Sequence, residues 1–139
     1  MEAMPLRAIH VPTGDPPVDV ESSSAEIRAL FLALGDDVVP DDLDYVQRGT
    51  GLGKCLRASR RIPMLQTRGE LRVTEVLFLS PTSAIVRFSL ELSLDRYAPE
   101  ATPFVLEGRA VRQHGRWLIE RGTFCELVGR AGVRCPPLS

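Results

Sequence analysis

Residues 71–95, LRVTEVLFLSPTSAIVRFSLELSLD, contain the pattern that decides the fold class. From Ala84 onward, apolar and polar side chains alternate with a period of two, which is typical of a strand with one buried face. The same period runs through 71–79, and Ser80-Pro81-Thr82-Ser83 supplies turn residues between the two runs. The stretch therefore predicts an antiparallel hairpin.

Two further strands are predicted at 104–113 and 116–126, on either side of His114-Gly115. A two-residue connection with glycine in its second position is typical of a tight hairpin turn. Each predicted turn also sets a register, because residues equally distant from it face one another. The expected cross-strand pairs are Arg72 with Glu91, Glu75 with Phe88, Leu77 with Val86, Arg112 with Trp117, and Arg109 with Glu120.

The first helix is predicted over 23–34, where apolar residues recur at helical spacing. Ser23 and Glu26 form a candidate capping box at its start, and Gly35 is expected to end it in a left-handed conformation. We expect the apolar stripe to pack on the inner face of the first hairpin. The predicted contact joins Ile27, Leu30, Phe31 and Leu34 to Val73, Leu77, Val86, Phe88 and Leu90.

Two shorter helices are predicted between the first helix and the strands. One lies between Pro40 and Gly49, where carboxylates near its start favour the positive end of the helix dipole. The other covers 51–61, with Leu52, Cys55, Leu56 and Ser59 on its inner face. Residues 1–21 contain four prolines and predict an extended arm, in which only 7–11 suits a strand.

The composition indicates a globular protein and excludes several classes of function. The chain has 139 residues, enough for one domain, which we place at 22–139. Seventeen basic and eighteen acidic residues give a net charge of -1, which argues against nucleic acid as a partner. The purely apolar runs are too short to cross a bilayer, so no membrane span is expected. The first ten residues do not resemble a secretory signal.

Helices followed by a four-stranded meander predict an α+β domain with its helices on one face of the sheet. Six segments give this pattern a more specific resemblance. They are RVTEV at 72–76, SPTSA at 80–84, GRAV at 108–111, GRWLI at 115–119, TFCEL at 123–127 and GVRCP at 132–136. Together they resemble the nuclear transport factor two superfamily and its SnoaL-like members, in particular small secreted or surface-attached actinobacterial domains such as the low-molecular-weight secreted antigens of mycobacteria.

The resemblance implies a cone-shaped fold, with helices laid across a curved antiparallel sheet and an apolar pocket between them. It implies no single activity, because the superfamily includes isomerases, cyclases, hydrolases, transport adaptors and binding modules. For this chain it places a ligand pocket between the first helix and the sheet. The expected lining residues are Ile27, Phe31, Leu34, Leu77, Phe88 and Leu90.

The chain contains three cysteines, and the sequence does not decide whether two of them form a disulfide. Cys125 and Cys135 are ten positions apart, and they are either bridged or two reduced thiols of a cytosolic protein. The resemblance implies a bridge that joins the C-terminal tail to the last strand, and a bridge would favour an extracytoplasmic location. Cys55 is expected to be a buried, reduced residue. The cysteine spacing does not suit structural zinc, so no metal is expected.

Catalytic candidates are few. His10 lies in the predicted arm and His114 in a predicted turn, so neither is expected to act as a base. In the expected register Glu75 faces Phe88, so an inward Glu75 would be desolvated, whereas a twist, a bulge or a position at the rim would make it an ordinary carboxylate. Glu75 or Tyr45 would be the acid or base of an isomerase-like or cyclase-like enzyme. A single carboxylate without a partner for the developing charge seldom suffices.

The sequence therefore favours a non-catalytic binding or interaction module that belongs to a larger exported or membrane-attached protein. Its expected ligand is an apolar small molecule or a protein partner, and it needs no cofactor. A module that forms a homodimer through an exposed sheet face is a further hypothesis, and the isomerase-like or cyclase-like enzyme is the alternative. Positive residues are concentrated between Arg48 and Arg72. On the predicted third helix, Arg57, Arg60 and Arg61 would bind an acidic partner or anionic lipid headgroups, or form a solvated face.

Overall fold

The computed structural model describes residues 16–60, 70–91 and 104–137. These residues form an α+β unit with an open, four-stranded antiparallel sheet. The helices in this part of the chain are α1 (Val20–Ala33), α2 (Gly53–Ser59) and α3 (Arg121–Gly129). The strands are β1 (Glu70–Ser80), β2 (Ser83–Glu91), β3 (Phe104–Gln113) and β4 (Arg116–Ile119). The possible strand at 7–11, His10 and Arg61 lie outside the described residues.

The sheet is a meander in the order β1-β2-β3-β4, as the two predicted hairpins require. His114 and Gly115 both have positive φ, 54° and 79°, which is the two-residue turn that matches the twist of the strands. Beyond it Arg112 is paired with Trp117, which confirms the predicted register of the second hairpin. At the end of β4, the Glu120 amide donates to the Arg109 carbonyl at 3.0 Å.

The predicted register of the first hairpin is wrong from Phe78 to Glu70, because two irregularities in β1 shift the pairing. The first lies between Phe78 and Ser80, so that Leu77 faces Ile85 and Glu75 faces Arg87. The second is a bulge between Val73 and Glu75, so that Val73 faces Phe88 and Arg72 faces Ser89. An extra residue in one strand exchanges the faces of all that follow it, because strand side chains alternate. Pairing with Arg87 keeps the Glu75 carboxylate on the face away from the helices.

The fourth strand is shorter than predicted. It ends at Ile119, and residues 121–129, expected to begin as strand, form helix α3 instead. Phe124 and Val128 are four positions apart and both are buried, which is a helical spacing. The Thr123 hydroxyl accepts a hydrogen bond from the Arg109 amide at 2.9 Å. The first turn of α3 therefore takes the place beside β3 that a longer β4 would occupy.

Helix α1 begins at Val20, inside the predicted arm, with Asp19 as the N-cap residue. The predicted capping box is wrong, because Ser23 is fully buried within the helix and its hydroxyl donates to Asp19 instead. Gly35 follows the helix without a positive φ, contrary to expectation. Its amide donates to the Leu32 carbonyl at 3.0 Å.

The helix predicted between Pro40 and Gly49 does not form. Residues 41–48 make turns that bring Val46 beside Ile119 in a parallel bridge at the edge of β4. Close backbone approach explains this geometry, since a Cβ on Gly53 would lie 1.8 Å from the Pro40 carbonyl oxygen. The following helix α2 is shorter than the predicted 51–61. Its expected inner face is confirmed, with Leu52, Cys55, Leu56 and Ser59 all buried.

The core lies between the helices and one face of the sheet. The Phe31 and Phe88 rings stand 5.1 Å apart, and those of Phe78 and Trp117 5.7 Å apart. Of the predicted core, Ile27, Leu30, Phe31, Leu34, Val86 and Phe88 are confirmed, and Val73 is half-buried against them. Leu77 belongs to the opposite face because of the irregularity between Phe78 and Ser80, and the side chain of Leu90 lies outside the described residues.

Truncation of either ring of the Phe31–Phe88 pair tests this core. Phe31→Ala and Phe88→Ala should each lower the free energy of unfolding by about 3–5 kcal/mol, because a large buried side chain is replaced by a cavity. Leu32 is the matched control, since it lies in the same helix and is 53% exposed. Denaturant titration followed by circular dichroism measures the effect. A Phe88→Ala curve that coincides with that of Leu32→Ala would contradict this packing.

Candidate functional site

The residues predicted to line an apolar pocket occupy the core. Ile27, Phe31, Leu34 and Phe88 are buried, and the Phe31–Phe88 ring pair lies between α1 and β2. Leu77, the remaining described member, lies on the other face of the sheet opposite Ile85. The structure therefore does not bring the described members of this set around one opening.

Glu75 lies on the outer face of the sheet, in a row of charges that crosses three strands. Arg87 Nη1 donates to Glu75 Oε1 at 3.0 Å, and Arg87 Nε donates to Glu107 Oε2 at 3.2 Å. The pKa of the Arg87 guanidinium is raised, first by its hydrogen bond to Glu107 and also by the negative charge of Glu75. The Glu75 carboxylate is thus held by a cation in a cross-strand pair.

Tyr45 lies on the helix side of the molecule, next to β4. Its hydroxyl donates to the Ala33 carbonyl at 3.4 Å, and its backbone carbonyl accepts the Ile119 amide. Burial raises the pKa of the phenol, with a further contribution from the nearby charge of Asp36. Glu75 lies in β1, at the other edge of the sheet and on its other face. The two predicted acid–base residues therefore do not share a site.

A cleft of about 330 Å³ opens where α3 passes the edge of β3. Its walls come from the outer face of the sheet and from the first turns of α3. The lining residues are Ile85, Glu107, Gly108, Arg109, Glu120, Gly122, Thr123 and Glu126. Gly108 is required at the base, because a Cβ there would lie 2.3 Å from Thr123 Cγ2. The sequence does not indicate this cleft, because its pattern predicts that the last strand continues to Glu126.

The outer face of the sheet continues from this cleft across all four strands. Register places Leu77 beside Ile85, and Val111 beside Leu118, on this face. These four side chains are only partly exposed, whereas Val105 at the end of the same face is 73% exposed. Within the described part of the chain no helix packs on this side. This face has a mixed apolar and charged character.

The two C-terminal cysteines lie at disulfide distance. The Cα atoms of Cys125 and Cys135 are 5.6 Å apart. Cys125 lies in α3 and not in the last strand, so the expected attachment of the tail to that strand is corrected to an attachment to the helix. Cys55 is free and buried, as expected, and its thiol donates to the Arg134 carbonyl at 3.8 Å.

The arginines of α2 stabilise the fold itself. Arg57 donates to the Val39 carbonyl at 2.7 Å and pairs with Asp41 at 2.8 Å. Arg60 donates to the carbonyl oxygens of Leu34 and Asp36. These bonds hold the segment between α1 and α2 against α2. The structure thus gives Arg57 and Arg60 internal partners, which the sequence pattern did not indicate.

A buried polar network joins α1 to the second hairpin. The indole N–H of Trp117, which is fully buried, donates to Ser23 Oγ at 3.0 Å, and the Trp117 amide donates to Glu26 Oε2 at 2.9 Å. The Ser23 hydroxyl in turn donates to Asp19. Arg112 donates to both carboxylate oxygens of Asp19, at 3.3 and 3.4 Å, and stacks 5.8 Å from the Trp117 ring as the register predicts.

Within 16–60, 70–91 and 104–137, no three His, Cys, Asp or Glu side chains are grouped as metal ligands, and no helix is long and apolar enough to cross a membrane. His114 is exposed in its turn. The chain matches no known protein-family model and no curated protein sequence.

Acid titration tests the Asp19–Arg112 pair. The hydrogen bonds from Arg112 lower the pKa of Asp19 below its usual value of 3.8. A carboxyl whose pKa is lower in the folded state stabilises the fold above the unfolded pKa, and this contribution is lost as the pH falls through the folded pKa. Wild type should therefore exceed Asp19→Asn in stability most clearly above about pH 5, and the difference should narrow below about pH 4.

Denaturant unfolding at a series of pH values measures this difference. Asp37→Asn is the control, because Asp37 is exposed after the end of α1. A stability difference between wild type and Asp19→Asn that stays constant down to the lowest pH would contradict the assigned ion pair.

Thiol counting tests the cysteine pairing. Unreduced protein unfolded in denaturant should show one reactive thiol, that of Cys55, and reduction should raise the count to three. The native protein should react slowly because Cys55 is buried. Three thiols in unreduced protein would contradict the bridge. Loss of a loop closure of this size should lower stability by roughly 2–3 kcal/mol.

Proposed function

We propose that this chain is a non-catalytic protein-interaction module, and that the outer face of the sheet is its contact surface. The observation that carries the proposal is the partly exposed apolar strip on that face, formed by Leu77, Ile85, Val111 and Leu118. Every strand contributes one of these residues. An apolar strip bordered by charged groups is the usual composition of a protein contact surface.

A protein partner suits this surface better than an apolar small molecule. Small-molecule sites are concave and bury most of the ligand. The predicted small-molecule pocket is instead occupied by core side chains, among them Phe31 and Phe88. The outer face instead carries its apolar side chains in a row across four strands, which suits contact with a protein surface.

The partner we propose is a second copy of this chain. The outer face carries the acidic residues Glu75 and Glu107 around Arg87, with Arg72 and Arg109 in the neighbouring rows. A two-fold axis through a face of alternating charge can set the acids of one copy against the arginines of the other. The apolar strip then supplies the buried area of a homodimer contact.

The same proposal has two further parts. One is a cone-shaped nuclear transport factor two-like fold, and the other is membership of a larger exported or membrane-attached protein. Helices on one face of a four-stranded antiparallel meander support the former. The Cys125–Cys135 pair at disulfide distance supports an oxidising location. No observation on the described residues favours the isomerase-like or cyclase-like alternative, since Glu75 and Tyr45 lie on opposite faces.

A charge placed in the apolar strip tests the contact. Wild type should sediment as a dimer at micromolar concentration, and Leu77→Arg or Leu118→Arg should give a monomer, because a buried unpaired charge opposes association. The matched control is Leu32→Arg, on the solvent side of α1. Circular dichroism verifies that each variant is folded. A monomeric wild type, or a Leu118→Arg protein that dimerises as wild type does, would contradict the proposed contact.

A further inference from the structure

Strand β3 extends well beyond its partner β4. Pairing with β4 covers only residues 110–113, whereas pairing with β2 continues to Phe104. Over 105–109, therefore, β3 has a strand neighbour on one side only within the described residues. An uncovered strand edge presents a row of backbone donors and acceptors that another chain can join.

The hydrogen bonds of Arg109 show which backbone groups face this edge. The Arg109 amide donates to Thr123 Oγ1 and its carbonyl accepts the Glu120 amide, so both groups point away from β2. Backbone groups of an antiparallel strand alternate in direction, so those of Glu107 and Val105 point the same way as those of Arg109. The first turn of α3 thus occupies the edge at Arg109. Farther along the helix, Glu126 and Leu127 border Glu107, and no described strand pairs with this edge at Glu107 or Val105.

The 330 Å³ cleft lies along this edge. Gly122 forms part of its wall and presents no side chain, which leaves room beside β3. Three carboxylates and one guanidinium line the cleft, from Glu107, Glu120, Glu126 and Arg109. The Glu126 carboxylate is 70% exposed and 3.9 Å from the Arg130 guanidinium, a loose pair that a second cation can join.

We propose that the β3 edge binds an extended basic peptide segment by strand addition. Its backbone would pair with Glu107 and Val105, and its alternate side chains would point to the same side. Those cationic side chains would lie next to Glu120 and Glu126 at the α3 wall. This contact uses the backbone edge of β3, whereas the self-contact proposed above uses the apolar strip, and the two meet at Ile85, Glu107 and Arg109.

The probe is a short synthetic peptide of alternating lysine and valine, with capped ends, added to the Leu118→Arg variant. This background removes competition from self-association, so a failure of one proposal is distinguishable from a failure of the other. Proton–nitrogen correlation NMR spectra recorded during a titration with the probe give the dissociation constant. The same spectra follow hydrogen exchange at single backbone amides. We expect slower exchange of the Glu107 and Val105 amides in the complex, because each gains a hydrogen-bond acceptor.

Two changes separate strand addition from simple charge attraction. Methylation of alternate peptide nitrogens on the probe should weaken binding at least about tenfold, since it removes backbone donors while keeping the charge. Glu120→Gln and Glu126→Gln should each weaken binding about two- to fivefold, as expected for exposed ion pairs. Glu21→Gln, on the exposed start of α1, is the matched control and should leave binding unchanged.

Three results would overturn the proposal. One is equal binding of the methylated probe, which would indicate charge attraction alone. Another is equal binding of a peptide in which glutamate replaces lysine. The third is an absence of binding at millimolar probe, or of protection at the Glu107 amide in a saturated complex.

Discussion

The buried hydrogen bond between the Trp117 indole and Ser23 is the constraint on which the rest of the arrangement depends. Trp117 is fully buried, and an indole N–H without an acceptor in that position would be costly. Ser23 supplies the acceptor only if α1 crosses β4 at one particular position along the helix. The Glu26 carboxylate, one helical turn later, accepts a hydrogen bond from the Trp117 amide and fixes the same position. One helix face is thereby aligned with one strand.

That alignment determines where the remaining helix contacts occur. With α1 held to β4, its other side reaches β1, where Arg28 donates to the Val73 carbonyl at 2.9 Å. The helix therefore contacts both outer strands and encloses Phe31 over Phe88 at the centre of the sheet. The apolar core and the polar network require the same helix position, so each supports the other.

Two irregularities in β1 decide which of its side chains face the interior. The one between Phe78 and Ser80 turns Val76 and Phe78 toward the helices and places Glu75 and Leu77 on the outer face, and the bulge between Val73 and Glu75 returns Val73 to the interior. In the register without the first of them, the Glu75 carboxylate would enter the core, where an unpaired charge is strongly unfavourable. The Thr74 hydroxyl, which donates to the Arg87 carbonyl at 3.1 Å, links the bulge to β2. The row of charges on the outer face follows from the irregularity between Phe78 and Ser80, which places Glu75 opposite Arg87.

The sequence by itself determined the local patterns: the α+β class, the meander order, the tight turn at His114-Gly115 and the apolar stripe of α1. These depend on periodicity and on backbone preferences, which act between residues close along the chain. The tertiary structure alone decided the bulge, the helix at 121–129 and the turns at 41–48, because each depends on a distant partner. Thr123 bonds to the Arg109 amide, and Val46 bridges Ile119. The cleft follows from the same long-range contacts, so its lining residues carry no signal that a single sequence could reveal.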